Sequence, residues 1–190
     1  MKETLADPLV FTKSEIPNIK AVVEKQFKSL EEDQLNWQPN SKKWSVGQCL
    51  DHLLKANQSY CEAIRRKLDG SQQVELQPTF KNSFTGRHFI RLMDPASSLK
   101  IPAPPTIRPQ RSQVATNIVD RFLAQQDELL QLAETASQYD LMKTTVASPF
   151  LGLLRFRLGE VFDVMIKHEQ RHIEQAKKVM ITNGFPVNQT

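Results

Sequence analysis

His168 and His172 lie four residues apart near the carboxyl end of the chain. On an α helix this spacing separates two imidazoles by about 40° around the axis and about one turn along it, so both can bind one metal ion. Both also fall in one row of apolar and small residues, which predicts that they face inward: Val161, Met165, Ala176 and Val179. Two unpartnered imidazoles would be costly to desolvate, so the pair favours metal binding over buried hydrogen-bonded or exposed histidines.

A metal site of the catalytic zinc type uses three protein ligands, so a third is needed. The chain has four histidines, which leaves His52 and His88 as imidazole candidates. His52 falls in another helical pattern, beside the small residues Cys49, Ala56 and Ser59, which would leave room for an ion. His88 falls in a proline-rich stretch, where an exposed side chain is expected. We therefore predict His52 as the third ligand.

The sequence from His168 to His172 also matches the H-E-x-x-H pattern of zinc proteases, in which the glutamate is the general base. Those enzymes take a third ligand from well downstream, but Glu174 is the only acid after His172. The protease interpretation therefore fails. Glu169 still falls within the inward arc, where it would act as a base for metal-bound water or orient an imidazole. A surface acid at the edge of the apolar stripe is an equal alternative.

Four long segments carry the apolar spacing that predicts α helices. They cover residues 14–35, 46–68, 112–138 and 158–183. The second has the clearest bounds, because Ser45 and Gln48 form a capping box and Gly70 supplies a stop. Pro17 is placed in the first turn of the first helix, where proline is tolerated. With no convincing strand, the pattern predicts an all-α four-helix bundle.

Residues 71–112 cannot continue as one helix because six prolines interrupt them: Pro78, Pro95, Pro102, Pro104, Pro105 and Pro109. A short helix is predicted over residues 85–93, and the whole stretch would be a long crossover and a candidate lid. Asp94 is the only acid between residues 81 and 111, where the basic residues are Lys81, Arg87, Arg91, Lys100, Arg108 and Arg111. A solvated basic loop and a rim that binds an anion are both open interpretations.

The length of 190 residues predicts a single domain spanning residues 1–190, with its core over about 14–185. Hydrophobic residues make up 39% and charged residues 24%, a balance that excludes a wholly disordered chain. The net charge of +4 is modest, and most basic residues are interleaved with acids, so nucleic-acid binding is not expected.

Two further features predict a cytoplasmic protein without a membrane partner. No apolar run approaches the roughly 20 residues that cross a bilayer, and no leader opens the chain. Cys49 and Cys61 are about 18 Å apart along one predicted helix, so they cannot form a disulfide with each other. Free cysteines are typical of a reducing compartment.

Several motifs together resemble the DinB-like superfamily. They are the Trp-Ser start at Trp44, the Asp-His-Leu sequence at His52, a Pro-x-x-Gly connector at Pro149, and His168-x-x-x-His172 followed by Gln175. The resemblance covers residues 14–185 and is best over 37–60 and 148–177. It implies a four-helix bundle with a crossover between helices two and three. It also implies a homodimer and a divalent metal (zinc, nickel or manganese) bound by His52, His168 and His172.

The activities implied by the resemblance are transfer of low-molecular-weight thiols such as bacillithiol, thiol-dependent isomerisation and metal-dependent hydrolysis. A three-histidine site can lower the pKa of a bound thiol or water. The leading hypothesis is therefore a metal-dependent thiol transferase or hydrolase for a small-molecule substrate, with Glu169 as base or orienter. Gln48 and Gln175 are candidate neighbours of the ligands, and Trp44 is assigned to packing at the helix start. The alternative is a non-catalytic metal-binding stress or interaction protein of the same fold.

Overall fold

The computed structural model describes residues 7–74, 80–99, 101–109 and 113–187. The fold is mostly helical, with six α helices, about 60% helix and little strand, which confirms the all-α prediction in its general form. The helices are α1 Pro8–Phe27, α2 Glu32–Asn36, α3 Val46–Asp69, α4 Phe84–Met93, α5 Ile118–Ala136 and α6 Leu158–Met180. Two short strands are β1 Thr145–Ala147 and β2 Arg155–Arg157, and a 3-10 turn spans Pro105–Ile107. None of the helices in these ranges is long and apolar enough to cross a membrane.

The predicted helix over residues 14–35 is two helices, α1 and α2. Helix α1 begins earlier, because Asp7 accepts a hydrogen bond from a first-turn backbone N–H and Pro8 has the fixed φ of a helix start. Pro17 therefore lies inside the helix and not in its first turn. A separate start for α2 is stabilised by Gln34, whose Oε1 accepts from the Glu31 backbone N–H at 3.0 Å.

Helix α3 follows the prediction closely. Ser45 Oγ accepts from the Gln48 backbone N–H at 3.1 Å, Gln48 Oε1 accepts from the Ser45 N–H at 3.0 Å, and Gly70 is the C-cap. Helix α4 matches the short helix predicted over 85–93 to within one residue. Helix α5 begins at 118, whereas its predicted start, Ser112, lies outside the described residues. Helix α6 ends at 180 and not at 183, and Gly184 beyond it has a φ of +89°.

A β-hairpin precedes α6, where the sequence pattern predicts no strand. Strands β1 and β2 are antiparallel, and the buried Val146 lies opposite the buried Phe156. Each strand has three residues, which is too short for alternation of polar and apolar residues to show. The hairpin leads directly into α6, so it sets where that helix begins.

The two helices that carry the predicted ligands pack directly on each other. Helices α1 and α3 each contact both α5 and α6. The core is one cluster to which each of these four helices contributes a large buried side chain: Phe27, Leu53, Phe122 and Phe162. Burial of each such side chain contributes about 1.5–3 kcal/mol. Helix α4 packs on α6, and the 3-10 turn packs on α3. The proline-rich segment is thereby placed against both ligand-bearing helices.

Candidate metal centre

The structure brings His52, His168 and His172 together. One ligand nitrogen from each ring lies within 4.8 Å of the other two. His52 Nε2 on α3 is 3.1 Å from His168 Nε2 on α6, and the ring centroids of the three pairs are 4.6–5.0 Å apart. The three predicted ligands therefore form a group that could bind one metal ion.

Hydrogen bonds outside the cluster fix the proton positions of two rings. His52 Nδ1 is 2.8 Å from the carbonyl oxygen of Ile107, and His172 Nδ1 is 3.0 Å from Gln175 Oε1. Both partners are oxygen acceptors, so each Nδ1 carries the proton and donates. The lone pairs of both Nε2 atoms are therefore available to the cluster, which is the arrangement that metal-binding histidines adopt.

The environment keeps the imidazoles neutral. Burial, together with the neighbouring His52, lowers the pKa of His172 to about 3. Burial also lowers the pKa of His168 well below its usual value. Burial lowers the pKa of His52 as well, although the hydrogen bond to Ile107 opposes that effect. Because neutral imidazole is the form that binds metal, the donor set fits a divalent cation such as zinc or nickel.

A cavity of about 920 Å³ opens beside the three rings. Its volume lies in the range of small-molecule sites, about 300–1,000 Å³. Its walls are mainly apolar and include Tyr60, Phe89, Met93, Ile107, Phe150 and Val164. The cluster therefore faces a chamber that can hold a substrate.

Trp44 covers the cluster and lines the cavity, a role that the assignment to helix-start packing missed. Its ring is stacked on His172, with centroids 5.4 Å apart and an interplanar angle of 22°. It also lies 4.9 Å from the ring of His52. Trp44 precedes the N-cap Ser45, and no sequence pattern indicates the direction of a side chain outside the helix.

Glu169 is fully buried, which confirms its inward position and makes the surface alternative wrong. Its Oε1 accepts from Asn57 Nδ2 at 2.6 Å and from Gln126 Nε2 at 2.7 Å. Burial raises the pKa of Glu169 to about 7, although these two hydrogen bonds oppose the rise. Glu169 is not among the residues that line the cavity, and periodicity alone does not identify its two amide partners.

Of the two predicted neighbours of the ligands, Gln175 forms a hydrogen bond with a histidine of the cluster. Gln175 contacts His172, whereas the Gln48 amide oxygen accepts from Ser45 and, at 2.9 Å, from Gln38. His88 is exposed on α4 and lies outside the histidine group, as expected.

Arg171 holds the segment that follows α4 against α6. Its Nη1 donates to the carbonyl oxygens of Leu92 at 2.8 Å and Asp94 at 3.4 Å, and its Nη2 donates to that of Leu99. Lys167 Nζ forms an ion pair with the Asp94 carboxylate at 3.3 Å. These contacts fix one wall of the cavity.

The basic side chains that line the cavity do not come from the described part of the basic stretch over residues 81–111. Its described members, Lys81, Arg87, Arg91 and Arg108, are absent from the lining, and Lys100 and Arg111 lie outside the described residues. The cations that do line the cavity come from the turn before α3 and from α6: Lys42, Lys43, Arg171 and Lys178.

Replacing Gln175 by leucine is expected to weaken zinc or nickel binding about tenfold, because His172 Nδ1 loses the acceptor that orients its ring. Isothermal titration of metal into the metal-free protein measures the change. Gln170→Leu is the control on the same helix, since Gln170 bonds Glu15 and not a histidine. Gln175→Glu, which keeps an acceptor, should retain the affinity. Equal affinities in Gln175→Leu and the control would contradict the orienting role.

A comparison with protein families finds a match to the DinB superfamily over residues 20–176. No curated protein and no solved structure matches the chain. The matched span contains His52, His168 and His172 as well as Gln175. Because the match covers most of the 190 residues, the chain belongs to the DinB superfamily.

Proposed function

We propose that the protein is a metal-dependent enzyme in which His52, His168 and His172 bind a divalent cation beside the cavity. The observation that carries the proposal is the convergence of three neutral imidazoles next to a chamber of substrate size. A divalent metal held there would lower the pKa of a thiol or a water molecule, so that thiolate or hydroxide is available near neutral pH. The reaction class is transfer of a low-molecular-weight thiol, or hydrolysis, with a small-molecule substrate.

The chain's own residues would prepare this site before any substrate enters. The Ile107 carbonyl and Gln175 fix the tautomers of His52 and His172, so these two ligands already present a free Nε2 lone pair. Trp44 stacks on His172 and, with the apolar walls, leaves the His168 and His172 rings only partly exposed, which strengthens electrostatic interactions at the site.

For Glu169 we propose the orienting role in place of the general base. Its carboxyl group bonds Asn57 on α3 and Gln126 on α5, so it ties both helices to α6 one residue after a metal ligand. It would act through the position of His168 and not on the substrate, since the side chain lies outside the cavity lining.

We also propose that the four long helices form the four-helix bundle of the DinB type, with residues 71–112 as its crossover, within a single domain. The mutual packing of α1, α3, α5 and α6 supports this interpretation. The homodimer, the cytoplasmic location and the absence of a nucleic-acid partner stay predictions from the sequence.

Turnover by metal-loaded protein tests the proposed function. Protein reconstituted with zinc, nickel or manganese is assayed with bacillithiol, cysteine and glutathione against an aryl halide, and with p-nitrophenyl esters in water. We expect turnover in one series that a chelator removes and added metal restores. If protein loaded with one equivalent of metal turns over neither series, the result would contradict the enzyme hypothesis and favour the alternative of a non-catalytic metal-binding protein.

A further inference from the structure

The charge of the cavity lining is one-sided. Lys42, Lys43 and Lys178 line it, and no Asp or Glu does so among the residues that the structure describes. Arg171 is the fourth cation of the lining, but backbone carbonyls occupy its guanidinium. The three lysines are therefore the positive charges that a ligand would meet.

These lysines lie at one end of the cavity, and the histidines lie farther along it, before Tyr60 and Val164. Helices α3 and α6 run antiparallel, since Trp44 before α3 contacts His172, whereas Asn57 farther along α3 contacts Glu169. Lys178 follows His172 by six residues on α6, and α3 begins six residues before His52. At 1.5 Å per residue, both helices separate the histidines from the lysine end by about 9 Å.

The backbone of the turn that carries Lys42 and Lys43 is held in place. Asn40 Oδ1 accepts from the Lys42 N–H at 3.0 Å, and the Asn40 carbonyl accepts from the Lys43 N–H at 3.0 Å. Gln38 Nε2 donates to the Lys43 carbonyl at 2.6 Å. The two ammonium groups are therefore presented by an ordered turn at the cavity end.

None of the three lysines forms an ion pair with an acid in the described part of the chain. The adjacent Lys177, which does not line the cavity, pairs with Glu174 at 2.7 Å. Between the lysines and the histidines the cavity is lined by Trp44, which is stacked on His172, and by Gln175, and most of the remaining lining is apolar, with Met93 and Ile101 among its members. An anionic group at one end and an apolar segment between would thus be complementary to the lining.

We propose that the cavity takes an elongated amphipathic carboxylate, with its anionic end among Lys42, Lys43 and Lys178 and its apolar body directed toward the histidines. This substrate class rests on the proposed function for the reaction at the histidine end. The binding itself depends only on the lysines and the apolar wall, so it can be tested without metal.

Calorimetric titration of metal-free protein with butanoate, octanoate and 1-octanol tests the proposal. We expect octanoate to bind roughly tenfold more tightly than 1-octanol, because the carboxylate gains three exposed cations. It should also bind more tightly than butanoate, whose chain is too short to fill the apolar wall. In Lys42→Ala/Lys43→Ala/Lys178→Ala the advantage of octanoate over 1-octanol should disappear while 1-octanol binding is unchanged.

Lys25→Ala/Lys67→Ala/Lys143→Ala is the matched control, since it removes the same charge from exposed lysines that do not line the cavity. An equal loss of octanoate affinity in this control would overturn the proposal, as would equal binding of octanoate and 1-octanol or binding of neither. Octanoate binding with no turnover in the thiol and ester assays would support the carboxylate site and contradict the proposed function. Turnover without octanoate binding would support the proposed function and contradict the carboxylate site.

Discussion

Replacement of both His52 and His168 by alanine is expected to abolish stoichiometric metal binding, with an affinity loss of at least about 1,000-fold for zinc or nickel. Two of three converging nitrogen donors disappear, and the affinity of such sites depends on the number of donors held in place. Metal analysis after dialysis and titration calorimetry measure the loss. His88→Ala is the control, because His88 is exposed on α4 and lies outside the cluster.

Tryptophan fluorescence gives an independent readout of the same event. The chain has two tryptophans, and only Trp44 is stacked on a ligand ring, whereas Trp37 packs edge-on against Phe185 with centroids 5.6 Å apart. In a Trp37→Phe background, nickel should quench the remaining emission, and His52→Ala/His168→Ala should prevent this quenching. A folded double variant that still binds one equivalent of metal would contradict the ligand assignment.

Replacement of Glu169 by glutamine should stabilise the metal-free protein at alkaline pH. The buried carboxyl has a pKa of about 7, above its unfolded value near 4.3, so the folded state binds its proton more tightly. Its ionisation therefore lowers the free energy of unfolding as pH rises above about 4.3, with the full penalty above pH 7. At pH 8 the penalty that glutamine removes is about 3–4 kcal/mol.

The glutamine side chain can keep the existing contacts, since its carbonyl can accept from Asn57 and Gln126 as Glu169 Oε1 does. Its amide would also replace Oε2, which has no partner among the described residues. Denaturant unfolding at pH 5 and pH 8 measures the difference, with Glu174→Gln on the helix surface as the control. A gain that is equal at both pH values would show that ionisation of Glu169 is not its cause.

The same Glu169→Gln variant separates the two roles considered for the side chain. If Glu169 positions His168, metal-dependent turnover should stay within about tenfold of the wild type, because the hydrogen bonds persist. A general base would instead lose about 100-fold or more in kcat. A folded, metal-loaded variant with the larger loss would make the orienting role wrong.

The sequence predicts the histidine group because the information is local. A spacing of four residues on a helix determines that His168 and His172 share a face, and the capping box of Ser45 and Gln48 determines where the helix of His52 begins. The start of α1 is also marked locally, by the cap at Asp7, although the apolar spacing alone predicts a later start.

Other parts of the site depend on tertiary contacts that no local pattern contains. The Ile107 carbonyl that orients His52 is a backbone atom 55 residues away, so its role is independent of residue type. Nothing in the local sequence distinguishes Asn57 and Gln126 from other polar residues, because their role depends on the helix packing that brings them to Glu169. The three-residue strands β1 and β2 are defined by pairing with each other rather than by pattern.

Two sets of hydrogen bonds, from the Ile107 carbonyl and from Arg171, connect the cavity wall to the elements that carry the predicted metal ligands. Arg171 lies between His168 and His172 on α6 and bonds the segment after α4, while the 3-10 turn farther along that connection bonds His52. By linkage, the free energy by which this wall improves metal affinity equals the free energy by which bound metal stabilises the wall. If the histidines bind a metal as proposed, release of that metal and any displacement of this wall would be coupled equilibria, and a substrate that displaced the wall would also change the affinity for the ion.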